Sequence, residues 1–256
     1  MLPIRTVLVG EAQGPPRMMA PRALVIVPTY NESDNLPTLV EGLLRHPDVR
    51  VLVVDDQSPD GTGELANDLA RQHSGRIEVM HRTDRRGLGR SYIDGIKRSI
   101  REPVDVICQM DADLSHDPRH LPDLVAATQH ADVVIGSRYV PGGAIVNWPT
   151  GRRLLSRLAN IYIRLVTRLN ARDCTSGYRC WRRDALARLP LDRFISDGYS
   201  FLVEMLFVAA SQGSRIAEVP ITFVERRQGK SKLSRAVLVE SAITPWRLVA
   251  TRGRTR

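Results

Sequence analysis

From residue 23 onward, short unbroken apolar runs alternate with stretches in which apolar residues recur every three or four positions. The runs ALVIVPTY (23–30), RVLVVDD (50–56), IEVMHR (77–82), VDVICQMDAD (104–113) and ADVVIGSRY (131–139) predict buried strands. The stretches ESDNLPTLVEGLLRH (32–46), PDGTGELANDLARQ (59–72), LGRSYIDGIKRSI (88–100) and PRHLPDLVAATQ (118–129) predict helices. Ser33 or Asp34 is expected to cap the first of these, and Asp117 the last. Strands with no polar alternation are buried on both faces. The expected fold class is therefore α/β, a Rossmann-like, mostly parallel sheet flanked by helices in a single domain.

After Tyr139 the rhythm breaks. VPGGAIVNWPTGRR (140–153) reads as a Gly/Pro loop, and RDCTSGYRCWRR (172–183) as a polar loop. YSFLVEMLFVAASQ (199–212) predicts a helix, and RIAEVPITFVER (215–226) an edge strand, because Pro220 cannot donate to a central ladder. A helix over 154–169 gathers Leu154, Leu155, Leu158, Ile161, Tyr162, Leu165, Val166 and Leu169 into one stripe, which suits either a core or a bilayer surface. Residues 1–22 have no period and are expected to be a flexible leader. The main domain should then span 23–235, with an amphipathic and basic segment over 236–256.

Composition narrows the partners. The net charge of +9 favours anionic ones, but aromatics are only 5% and none interleave with a basic run, so nucleic acid is not expected. The three cysteines lack metal-ligand spacing and read as reduced thiols. No apolar run reaches the length of a membrane span, and the N-terminus lacks the order of a signal peptide. A cytoplasmic protein, or one bound to a membrane from the cytosolic side, is expected.

Ligands of such sheets bind beyond the carboxyl ends of the strands. Those ends carry PTYNE (28–32), DDQSPDGT (55–62), DAD (111–113) and GSRY (136–139). Asp111 and Asp113, spaced i, i+2 after a buried strand, suit one hard divalent cation shared with substrate phosphates. Asp55 and Asp56 suit hydrogen bonds from a base or ribose. GLGRS (87–91) serves either as a phosphate cradle or as a helix entry. Arg138, Arg152, Arg153, Arg179, Arg226, Arg227, Lys230 and Lys232 form a cationic group suited to phosphates. His116 and His120 are separated by Pro118 and do not make a convincing zinc pair, and no Ser–His–Asp order points to a nucleophile.

VPTYNE, VVDDQSPDGT, GLGRSY, MDADLSHDP, GSRY, GG…W…R, DCTSGYR, GYSF..E and EVPITFVER..GKSK occur in that order over residues 23–235. In this the chain resembles the polyprenol-phosphate mannose synthases, also called dolichol-phosphate mannosyltransferases, among the family 2 glycosyltransferases. The resemblance implies a glycosyltransferase A fold and inverting transfer of mannose from GDP-mannose to a polyprenyl phosphate, with Mg²⁺ or Mn²⁺. It places Pro28, Tyr30 and Glu32 in the nucleotide pocket, and Val54, Asp55 and Asp56 about the base and ribose. Asp111 and Asp113 fall at the metal and donor diphosphate, with Ala112 between them at the nucleotide sugar. Arg138 and Arg152 hold the acceptor phosphate, Arg138 also bordering the nucleotide sugar, and Arg226 and Lys232 close over the diphosphate. The implied catalytic residues are Asp113, Arg138 and Arg152. Ser115 stands where some relatives carry a glutamine that adds a metal ligand.

A lipid acceptor implies a membrane surface as partner, reached through the helix after Arg153, the segment 236–250 and the basic tail, or through a membrane-anchoring protein. Three rival readings are a glucosyltransferase using UDP-glucose, a sugar-1-phosphate nucleotidyltransferase and a non-catalytic nucleotide-sugar-binding subunit. The second expects a Gly-rich basic loop after the first strand, where this chain has PTYNESDN. The third expects the DAD or the arginines to be broken, and they are intact.

Overall fold

The computed structural model describes residues 21–84, 86–194, 196, 198–225 and 235–251. The five apolar runs form β1 (Ala23–Thr29), β2 (Val49–Asp55), β3 (Ile77–His81), β4 (Val106–Gln109) and β5 (Val133–Ser137). Between them lie α1 (Leu36–Leu44), α2 (Thr62–Gln72), α3 (Leu88–Ser99) and α4 (Leu121–Ala127). The second half adds β6 (Ala144–Val146), α5 (Thr150–Thr167), β7 (Arg179–Arg182), α6 (Arg183–Ala187) and α7 (Gly198–Ser211). It ends with β8 (Ile216–Pro220), β9 (Thr222–Val224) and α8 (Arg235–Thr251).

The main sheet runs β3-β2-β1-β4-β7-β5-β8, parallel except for β7, which is antiparallel to both neighbours. Along β1, Leu24 and Ile26 face one core while Ala23, Val25 and Val27 face the other. This is the two-residue period of a strand covered on both sides. Leu36, Leu39, Val40 and Leu43 of α1 close one face, with Leu121 and Leu124 of α4. Tyr92 and Ile96 of α3, with Phe201 to Ala209 of α7, close the other. A Cβ on Gly95 would lie 2.7 Å from Ile26 Cγ2, so α3 can approach β1 only with glycine there.

Several details depart from the sequence reading. The stretch read as a polar loop, 172–183, contains the central strand β7. Its polar look comes from Arg179 and Arg182, yet Arg179 is wholly buried beside Cys180 and Trp181. Residues 144–146, read as loop, pair with β9 as a small second sheet. The helix α1 begins after Asn35, with no side-chain cap from Ser33 or Asp34, and has a proline in its first turn, where the missing N–H costs nothing. Asp117 does cap, accepting the Arg119 N–H at 2.9 Å. The expected edge strand is β8, with Pro220 at its end.

The stripe on α5 faces outward rather than into a core. Leu154, Leu155, Leu158, Ile161 and Leu165 are exposed, Leu165 by 76%, while Tyr162 and Val166 are half-buried and Leu169 is buried. The helix α8 packs against α5 and α7 and exposes Ile243 and Trp246 beside it. Among the described residues, no helix is long and apolar enough to cross a membrane.

Candidate active site

Parallel register brings the polar strand ends into line. Thr29 pairs with Asp55 and Asp55 with His81, while Gln109 pairs with Ile26, so Asp111 emerges alongside the end of β1. The loops after β1, β2 and β4 each hold a non-glycine residue in the left-handed region: Asn31, Gln57 and Leu114, with φ of 60–61°. Such backbone costs about 1–3 kcal/mol apiece and persists where surrounding contacts dictate it.

The loop after β4 folds back on itself. Ser115 donates to Asp113 Oδ1 from its main-chain N (3.1 Å) and from Oγ (2.5 Å). His116 Nδ1 accepts the Asp111 N–H at 3.2 Å, and Tyr92 Oη donates to Asp111 Oδ1 at 3.0 Å. Burial pushes the Tyr92 phenol well above its usual range, the Asp111 carboxylate adding to this, so it stays a donor. Burial likewise lowers the His116 pKa against the opposing pull of Asp111 and Asp113, which keeps the imidazole neutral. A Cβ on Gly177 would sit 3.2 Å from Asp111 Oδ2. Two carboxylates on one loop, with no cluster of three His, Cys, Asp or Glu among the described residues, suit a hard cation that completes its shell with phosphate oxygens and water. They do not suit zinc. The Ser115 hydroxyl donates to Asp113 and lines the same pocket as the two carboxylates.

On the β1–β2 side, Asp55 is buried and accepts from Thr29 Oγ1 (3.2 Å) and the Ser58 N–H (3.3 Å). Asp56 is ion-paired with buried Arg82 and accepts the Gly87 N–H at 2.8 Å. That amide of GLGRS therefore meets a protein carboxylate. Tyr30 lies under the Arg86 guanidinium, 4.6 Å from the ring centre, and Glu32 accepts from Asn35 Nδ2 at 2.8 Å. Pro28, Val54 and Ala112 are buried, and Val54 lies within the sheet between Pro28 of β1 and Met80 of β3, its side chain wholly in the core.

Arg138 and Arg152 converge on one pocket with Asp111 and Asp113. Buried Arg138 makes a two-pronged pair with buried Asp173, at 2.7 Å from both Nε and Nη2, and donates to Thr175 Oγ1 at 2.8 Å. Burial alone would raise the Asp173 pKa, but Arg138 and the hydrogen bonds outweigh it and hold the carboxyl below its usual value. Arg152 pairs with Glu225 and stacks on Trp148, 4.1 Å from the ring centre. Arg179, grouped by sequence with the phosphate-facing cations, instead donates to the carbonyls of Ser176, Leu202 and Cys174. Burial draws its pKa down to about 10, and it braces the 174–178 loop from beneath. Arg226, Arg227, Lys230 and Lys232 lie outside the described residues.

The pocket holds about 290 Å³. From the carboxylates and arginines it continues between α5 and α8, past Leu155, Ala159, Tyr162, Ala242 and Pro245. His116, Trp148 and Phe223 also line it. Sequence reasoning passed over His116 as a failed zinc ligand and gave Trp148, Asp173 and Tyr92 no role. Their significance depends on contacts between residues 4 to 75 positions apart, which no local pattern records.

The fold is that of the A-type glycosyltransferases. The chain belongs to glycosyl transferase family 2, whose model matches residues 24–189. It is 48% identical over 233 residues to undecaprenyl-phosphate mannosyltransferase of Micrococcus luteus, covering 90% of this chain and 95% of that one. It is also 48% identical over 216 residues to polyprenol monophosphomannose synthase of Mycolicibacterium smegmatis, covering 83% and 81%. A structure of glucosyl-3-phosphoglycerate synthase from Mycobacterium tuberculosis, with Mn²⁺, UDP and glucosyl-3-phosphoglycerate, superposes with a TM-score of 0.66. It is 17% identical, covers 98% of this chain and 88% of that one, and bears on the fold alone. The chain is thus an enzyme of the resembled family, and the nucleotidyltransferase and non-catalytic readings fall away.

Proposed function

We propose that the enzyme transfers mannose from GDP-mannose to a polyprenyl phosphate, with inversion, giving a polyprenyl β-mannosyl phosphate. The observation that carries this is the shape of the pocket. One end gathers two carboxylates and two arginines, and the other is an apolar slot between α5 and α8 that opens beside an exposed leucine stripe. An acceptor with a phosphate head and an isoprenoid tail matches both ends, and the names of the two 48%-identical relatives support the same chemistry.

A phosphate monoester has a second pKa of about 6, so near neutral pH it is already nucleophilic and needs no general base. This accounts for a site whose one buried histidine accepts a main-chain hydrogen bond instead. Arg138 and Arg152 orient the acceptor phosphate for in-line attack. Its oxygen bonds to the anomeric carbon as the bond from that carbon to the donor diphosphate breaks, and GDP departs with the electron pair. Asp111 and Asp113 would hold Mg²⁺ or Mn²⁺, which when bound would neutralise charge growing on that diphosphate. Arg226 and Lys232 contribute to the same end. Pro28, Tyr30, Glu32, Val54, Asp55 and Asp56 border the nucleoside, and Ala112 the sugar.

We further assign the stripe on α5 and the exposed face of α8 to the membrane surface. The protein would sit peripherally on the cytosolic leaflet, with or without an anchoring partner. The test is transfer of label from GDP-mannose into solvent-extractable polyprenyl phosphate by wild type and Asp113→Ala. The wild type should transfer, and the variant should lose about 100-fold or more in kcat while keeping its melting temperature. Undiminished turnover by the variant would contradict the reading.

A further inference from the structure

Trp148 stands between the two arginines of the pocket. The Arg152 guanidinium lies 4.1 Å from its ring centre and that of Arg138 5.6 Å, while Phe223 meets the indole edge-on at 5.3 Å. Each guanidinium is already held along one edge by a carboxylate, Arg138 by Asp173 and Arg152 by Glu225; Arg138 also donates to Thr175 and lies 5.3 Å and 5.4 Å from the ring centres of Phe223 and Tyr139, so Trp148 is the ring that the two arginines share. A carboxylate fixes the edge it touches. An aromatic face restricts the remaining tilt of the plane, and tilt decides which donors face the pocket.

The choice of tryptophan itself is informative. Phenylalanine would fill much of the same space and could keep the edge contact to Phe223. What tryptophan adds is the largest and most cation-attracting ring face. We propose that Trp148 is a positioning residue for the acceptor: its indole orients Arg138 and Arg152 so that together they bind a phosphate monoester. The inference rests on the reading that the acceptor carries a phosphate.

Trp148→Phe keeps a ring but offers a smaller, less electron-rich face. Its KM for polyprenyl phosphate should rise roughly fivefold to tenfold. The KM for GDP-mannose should stay within about twofold, and the melting temperature should change little, since Trp148 is only half-buried. Trp148→Leu, which removes the face altogether, should raise the acceptor KM further. Acceptor KM values unchanged in both variants, in an enzyme whose wild type transfers mannose, would overturn the inference and leave the proposed function intact. So would equal rises in the two KM values, the mark of a general packing defect. A wild type that transfers nothing to polyprenyl phosphate would instead remove the reading on which the inference rests.

Discussion

His116 has to be neutral to hold the loop as it does. A protonated imidazole carries two donors and cannot accept the Asp111 N–H, so burial, which lowers its pKa, serves the geometry of the acid loop. Groups that orient a metal-binding loop commonly change metal affinity by about 10–100-fold when removed. His116→Leu should accordingly weaken Mn²⁺ binding in the presence of GDP by about tenfold or more. His116→Asn, whose amide oxygen can take the place of Nδ1, should recover most of it. Titration calorimetry that finds all three proteins alike would remove the positioning role. Asp173 is a second residue whose loss should be costly, here to the fold, because it removes the carboxylate that balances the charge of buried Arg138. Asp173→Asn should destabilise by about 3–5 kcal/mol in denaturant unfolding near pH 7. The folded-state pKa of Asp173 lies below the unfolded value, so the pair's contribution is present above the usual carboxylate range and is lost as pH falls through the folded pKa. The difference between wild type and variant should therefore shrink in acid.

Elements differ in how far sequence exposes them. The strands β1, β2 and β5 are readable because their apolar runs are unbroken, and a parallel sheet places the loops that follow them on one edge, where the acidic pairs can be recognised. The strand β7 is not readable, because Arg179 satisfies its donors on carbonyls supplied by a loop and by α7. A run of arginines looks solvated until those partners are known. For α5 the heptad-like stripe is plain, but which way it faces is settled only by its packing against α8. With the stripe outward, Leu154→Glu together with Leu158→Glu should sharply reduce co-sedimentation with anionic vesicles. The melting temperature should change little, since exposed substitutions usually stay within about 0.5 kcal/mol. Undiminished vesicle binding would detach α5 from the membrane role.

At the scale of the whole molecule, the sheet edge, the small β6–β9 sheet and the α5–α8 pair enclose one continuous pocket, polar at the carboxylates and apolar toward the exposed leucines. Residue roles at the nucleotide end came from resemblance, since aspartates at a strand end do not by themselves distinguish guanine from uracil or mannose from glucose. One assay tests the pairing of donor and acceptor directly. Radiolabelled GDP-mannose and UDP-glucose are offered separately to the purified enzyme with polyprenyl phosphate, with and without EDTA. Label should enter the lipid from GDP-mannose alone, be abolished by EDTA and be restored by Mg²⁺ or Mn²⁺. Label from UDP-glucose alone, or transfer indifferent to EDTA, would contradict this expectation.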